Sequence, residues 1–125
     1  MTGMAWIAFL VAAAIGAPAR YLIDGFVQDR TEGAFPWGTF VVNVSGCLVL
    51  GTITGLGLYH GLDATTRVVV GTGGMGAYTT FSTFTFETVR LAEEGAIDEA
   101  LRNVAASFVV GLAAASVGLA LMALI

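Results

Sequence analysis

The sequence predicts an all-α membrane protein of four spans, with the third helix interrupted in mid-membrane. Three observations carry that prediction. Of 125 residues, 57% are hydrophobic and only 11% are charged, with a mean hydropathy of +0.86. Soluble domains carry roughly a quarter charged residues, so this chain could not cover a water-facing surface. Four apolar segments each approach the roughly 20 residues that cross a bilayer's hydrocarbon core. One of them opens on "GTGGMGAYTTFSTFTFE" at 71–87, a glycine cluster followed by closely alternating hydroxyls and phenyl rings.

The first segment covers about residues 4–23. It lacks a basic leading region and runs into Pro18 and Arg20 rather than a small-residue cleavage site, so it reads as a retained helix. The second, about 37–59, carries Gly51 and Gly55, then Gly57 and Gly61, at the small-xxx-small spacing that favours tight helix contact. The third covers about 68–91 and the fourth about 104–125, all within one membrane domain spanning 1–125. The polar connections "DGFVQDRTEGAFP", "HGLDATTR" and "AEEGAIDEALR" hold most of the charge. An even number of spans puts both termini on one side. Arg20, Arg30, Arg90 and Arg102 flank one side, and Arg67 with the terminal amine flanks the other. That leans towards termini outside. Discounting Arg20 as tucked into the bundle and Arg90 as within the third span leaves a near tie, compatible with insertion in both directions.

Several classes are excluded. Five cations, all Arg, stand against nine acids, for a net charge of -4; a nucleic-acid partner needs a clustered basic face. The single Cys47 permits no intramolecular disulfide and no metal-ligand spacing. Gly71, Gly73 and Gly76 fit G-x-G-x-x-G after "RVVV", but a dinucleotide fold needs further strands that this chain does not have. Nothing pairs carboxylates for catalysis, so an enzyme is not expected.

Within a membrane, the glycine cluster can serve close packing or a helix break. The residues after it favour the break. Five of the seven residues from Thr79 to Thr85 bear hydroxyls, with Phe81 and Phe84 between them. A lipid-facing helix has no use for so many polar groups. A broken one does, because freed N–H and C=O groups need partners or a wet cavity. Discontinuous helices are also where transport proteins bind ions.

"GTGGMGAYTTFSTFTFE" resembles the signature of the small prokaryotic fluoride channels of the Fluc (CrcB) family. "GAPARY" at 16–21, "PWGTFVVNVSGCLVLG" at 36–51 and, more loosely, "NVAASFVVG" at 103–111 agree in order and spacing. Where many relatives have a pore tyrosine at the start of the fourth span, this chain has Asn103.

Fluoride is small and strongly hydrated, so a pore must replace its water with hydrogen-bond donors that still let it go. Such donors are present. Asn43 offers an amide inside the second span, with Thr39 one turn earlier on the same face. Thr80, Ser82 and Thr83 offer hydroxyls, and Asn103 and Ser107 form an i, i+4 stripe. Each also has a plainer reading, as interhelical glue or backbone-bonded hydroxyls. Arg20 reads equally as a snorkelling side chain or as a cation concentrating anions at a pore vestibule. Phe81 and Phe84 alone would read as core. The resemblance implies that they are pore residues whose electropositive ring edges meet the anion.

Four thin helices cannot both enclose a wet path and bury these groups, so an oligomer is expected. The resemblance implies a dimer of oppositely oriented copies with two pores. It also implies a structural Na+ between the copies, held by the backbone carbonyls of Gly76 and Thr79. The function implied is passive, selective export of fluoride across the cell membrane. Two alternatives stand beside it. A small multidrug exporter would need a buried acid in the first span, and none precedes Asp24. The other is a subunit active only as a heterodimer with a related chain.

Overall fold

The computed structural model describes residues 1–125 as helices and short turns, with no strand. α1 (Gly3–Gln28) starts from Thr2, whose hydroxyl accepts from the Ala5 N–H at 3.3 Å. α2 (Trp37–Tyr59) follows Pro36, and α5 (Ile97–Leu124) closes the chain. These three are long and apolar enough to cross a membrane.

The remaining traverse comes in two pieces. α3 is a continuous helical stretch built from Ala64–Thr66, Arg67–Met75 and Gly76–Tyr78, its middle part wound in the wider π form. α4 (Phe81–Glu93) resumes after Thr79 and Thr80, whose ψ values of 160° and 118° are extended. The expected break is therefore real and falls between the glycine cluster and Phe81. Neither half is long enough to cross alone.

The helices outrun the apolar segments, α1 to Gln28 and α5 back to Ile97. Hydropathy marks the part of a helix in hydrocarbon, whereas backbone hydrogen bonding continues into the aqueous layer.

Close backbone approach holds the bundle together. α2 packs along α5: Gly51 lies against the Ala115 backbone, Gly55 against Met122, and Gly118 against Leu48 and Thr52. A side chain at Gly51 would collide with main chain that cannot yield. The second glycine pair behaves differently from expectation. Gly57 makes room for the Arg67 side chain, and Gly61 lies beyond α2 with φ of +69°. α1 packs on α3, with Gly16 against the Gly74 carbonyl and Gly73 against Phe9. The glycine cluster thus serves packing as well as the break. Large apolar side chains such as Met4, Leu10, Leu112 and Leu124 lie exposed on the outer faces, as they must where the solvent is acyl chain. The chain is a multi-pass membrane protein.

Candidate functional site

A helix broken in a membrane frees backbone groups on both sides of the gap, and side chains from other helices take those of Thr79 and Thr80. Asn43, in the first third of α2, clamps the Thr80 backbone through both its carbonyl and its N–H. Its Nδ2 donates to the Thr80 carbonyl at 2.9 Å, and its Oδ1 accepts from the Thr80 N–H at 2.8 Å. Arg20 of α1 donates through Nη1 to the Thr79 carbonyl at 3.1 Å. Thr80 caps α4, its hydroxyl accepting from the Thr83 N–H at 3.1 Å, as an N-cap threonine does. The N–H groups of Phe81 and Ser82 have no acceptor in the chain, so the positive end of α4 keeps free donors.

Thr80 lies between two cavities. The larger, about 450 Å³, lies between α2, α4 and α5 and takes Asn43, Phe81, Phe84 and Ser107 into its wall. The smaller, about 190 Å³, is lined by Arg20, Thr39, Thr83 and Asp24. The break residues, Thr80 above all, form the partition.

The two phenylalanines share a side of α4, with ring centroids 5.9 Å apart, as their spacing predicted. Their environments differ. Phe84 is 8% exposed and meets the Phe108 ring edge-on, whereas Phe81 is 74% exposed and faces the open side of the groove. Thr39 is buried, and its hydroxyl donates to Glu87 Oε1 at 3.1 Å. The Thr80 hydroxyl donates to Thr83 at 3.0 Å and lies 3.4 Å from Ser82, which is itself exposed.

Asn103 is separate from both cavities. It is 1% exposed, donates to the Thr88 hydroxyl at 2.9 Å and accepts from Ser107 at 3.4 Å. The Asn103–Ser107 stripe is present, but only Ser107 reaches the groove. At Thr79 the carbonyl already accepts one N–H, which leaves it a second lone pair. Gly76 is exposed, with nothing near the place a Cβ would occupy.

Sequence reading missed several members of the site. Phe108 and Cys47 line the groove, and Tyr78 and Ser45 share a hydrogen bond of 2.8 Å beneath the break. Thr88 holds Asn103. An aromatic at i+4 from residue 104 on an apolar helix carries no signal of its own. The Tyr78–Ser45 pair had a signal, because a buried phenol needs a polar partner.

Fold and site together define a class: a polytopic helical membrane protein with a broken span, its gap dressed by an amide and a guanidinium beside an aromatic groove. A model of the family described as CrcB-like protein, Camphor Resistance (CrcB), matches residues 7–119. The chain belongs to this family. It is 47% identical over 115 residues to the fluoride-specific ion channel FluC 1 of Streptomyces avermitilis, covering 92% of this chain and 93% of that protein. It is 48% identical over 123 residues to the protein of the same name from Frankia casuarinae, covering 94% and 95% respectively. A third relative of that name, from Leifsonia xyli subsp. xyli, is 42% identical over 119 residues, covering 95% and 87%.

Proposed function

We propose that the chain is a fluoride-selective channel that lets fluoride leave the cell passively. The observation that carries this reading is the clamp of Asn43 on Thr80, which holds free N–H donors and two phenyl rings at the head of a groove in mid-span. In the larger groove, donors without a fixed acid or a trapping cation suit a small hard anion in transit. No titratable side chain lines that larger groove apart from the thiol of Cys47, whereas a proton-coupled exporter needs a membrane-buried acid or base on its path.

The working unit on this reading is a pair of oppositely oriented copies. The groove is open along the Phe81 side, and a second copy would close it. In such a pair the exposed Gly76 backbones could meet, and a structural Na+ there would be held by the Gly76 and Thr79 carbonyls. The donor set suits a hard monovalent cation, since both groups are oxygens and Thr79 has a lone pair to spare. The Arg20 guanidinium on the same carbonyl oxygen opposes a cation at close range, so the Na+ would sit on the side away from Arg20. Asn43, Phe81, Phe84 and Ser107 line the pore in this proposal, and Thr39, Ser82 and Thr83 continue its polar side. Arg20 guards a vestibule, and Asn103 orients Ser107.

Fluoride efflux from liposomes holding the purified chain alone is the test. Selective fluoride flux supports the channel, and flux only after a related chain is added supports the heterodimer. Drug–proton exchange without fluoride flux removes the reading.

A further inference from the structure

Four of the five arginines have partners within the chain. Arg20 holds the Thr79 carbonyl, and Arg30 lies 3.5 Å over the Phe26 ring and donates to the Phe26 carbonyl. Arg90 approaches Glu94 at 3.8 Å, and Arg102 pairs with Glu99 at 2.9 Å. Arg67 has none. Its Nε is buried with no acceptor, and leaving a charged donor unpaired out of water is costly. The nearby carboxylate in the preceding turn, Asp63, is spent on capping Thr66, with one oxygen on the N–H and the other on the hydroxyl.

The local geometry aims this guanidinium rather than leaving it loose. The Arg67 stem lies over Gly57, where a side chain would meet its Cδ, Nε and Nη1. Beyond it runs a groove of about 610 Å³, walled by Leu50, Ile53 and Thr54 of α2 and by Gly71 and Thr72 of α3, ending at Gly76. Thr72 is exposed, and its hydroxyl makes no bond within the chain. Thr52 and Thr54, by contrast, both bond the carbonyl four residues back. Arg67 and Thr72 both lie in the π segment, where i and i+5 are the hydrogen-bonded spacing and fall on nearly one face. In an α-helix they would point well apart. The wide winding therefore brings two unsatisfied donors, one cationic, to the same groove.

We propose that Arg67 and Thr72 form an anion-binding site at the membrane boundary opposite the Arg20 end, one that gathers a small hard anion before it reaches the break. The site rests on the channel reading for its role, though not for its chemistry. The same donors would accept a phospholipid phosphate, and the experiment separates the two sources.

Fluoride efflux is measured for wild type, Arg67→Gln, Arg67→Lys and Thr72→Val in neutral phosphatidylcholine vesicles. A gathered free anion predicts that Arg67→Gln lowers flux about fivefold near 10 mM ionic strength, where the screening length is about 30 Å. That deficit should shrink below about twofold near 1 M, where the length is about 3 Å. Arg67→Lys should retain most of the flux at low salt, and Thr72→Val should lose about twofold. If adding phosphatidylglycerol abolishes the difference between wild type and Arg67→Gln, the site holds a lipid phosphate. A deficit in Arg67→Gln that ignores salt, together with loss of the dimer on sizing, makes Arg67 a subunit contact and overturns the site, as does unchanged flux at every salt. Wild type without fluoride flux would instead sink the channel reading. The site is then decided by thermal midpoints in detergent with and without sodium fluoride: a fluoride-dependent rise in wild type that Arg67→Gln lacks supports it, and equal rises overturn it.

Discussion

Replacing Asn43 by leucine tests the centre of this architecture. The side chain keeps its volume but loses both contacts to the Thr80 peptide, at 2.9 and 2.8 Å. Thr80 is 7% exposed, so its N–H and carbonyl have little access to replacement water within the chain. A single side-chain hydrogen bond between membrane helices averages about 0.6 kcal/mol, because partners are found elsewhere when it is lost. That average does not fit here. The helix has already given up its own partners at the gap, and each stranded backbone group costs about 1–3 kcal/mol. Two such groups give about 2–6 kcal/mol, enough to shift the population of the clamped gap by at least tenfold.

The expected result is loss of more than nine-tenths of fluoride efflux, with a lowered thermal midpoint in detergent. Asn43→Asp separates fold from function, since a carboxylate still accepts from the Thr80 N–H but no longer donates to the carbonyl. It should fold better than the leucine variant and still conduct poorly, because a negative charge then stands beside the anion path. If Asn43→Leu keeps both flux and midpoint within about twofold and a degree of wild type, the clamp is incidental and the reasoning fails.

Phe84→Ala should destabilise the protein by about 3 kcal/mol, as truncation of a buried ring does, whereas Phe81→Ala should lower flux strongly with a smaller change in midpoint; equal midpoint losses would contradict their unequal burial. Gly51→Leu should abolish folding, because its side chain would enter the Ala115 backbone, while Gly61→Leu in the turn should fold with only a modest loss; circular dichroism of the purified variants decides. Asp63 titrates below the ordinary carboxylate range because the Thr66 hydroxyl, and then the Thr66 N–H, favour its charged form. A depressed carboxylate pKa adds stability that is present above the unfolded value and lost as pH falls through the folded one. Thermal midpoints measured from pH 7 to pH 3 should therefore fall below about pH 4 more steeply in wild type than in Asp63→Asn, and parallel curves would refute the cap.

The large features of this fold were legible because hydrocarbon leaves so few options. Apolar length marked α1, α2 and α5, and the hydroxyl-rich run after the glycines marked the region of the gap, although only Thr79 and Thr80 of that run are extended and the rest opens α4. Chemistry at the gap was harder to read. Asn43 was picked out as an anion donor, yet both its amide ends hold the Thr80 backbone, leaving one N–H to spare. Spacing shows that a polar group faces inward but not whether it turns to an ion or to a neighbouring peptide. Asn103 shows the same limit: its stripe with Ser107 was visible, while its partner Thr88 lay on another helix at a distance that sequence cannot measure. The π winding of Arg67–Met75 had no signature beyond its glycines, and it falls where α1 and α2 pack on α3.

That winding and the gap are best understood as one device. Gly16 and Gly73 let α1 approach α3 closely enough for Arg20 to reach the Thr79 carbonyl, and α2 brings Asn43 to the backbone of the next residue. The Thr79 and Thr80 carbonyls are thus taken by N–H donors from other helices, while the carbonyls of Gly76, Ala77 and Tyr78 before the gap and the N–H groups of Phe81 and Ser82 after it have no partner within the chain. The two sides of the gap therefore carry opposite partial charge, with open carbonyls ending α3 and open N–H groups beginning α4. On the channel reading proposed above, an anion would be met on the N–H side beside the phenyl ring edges, and a cation would be held on the carbonyl side. One interruption of one helix thus offers both kinds of ion a separate face, which an unbroken span cannot do.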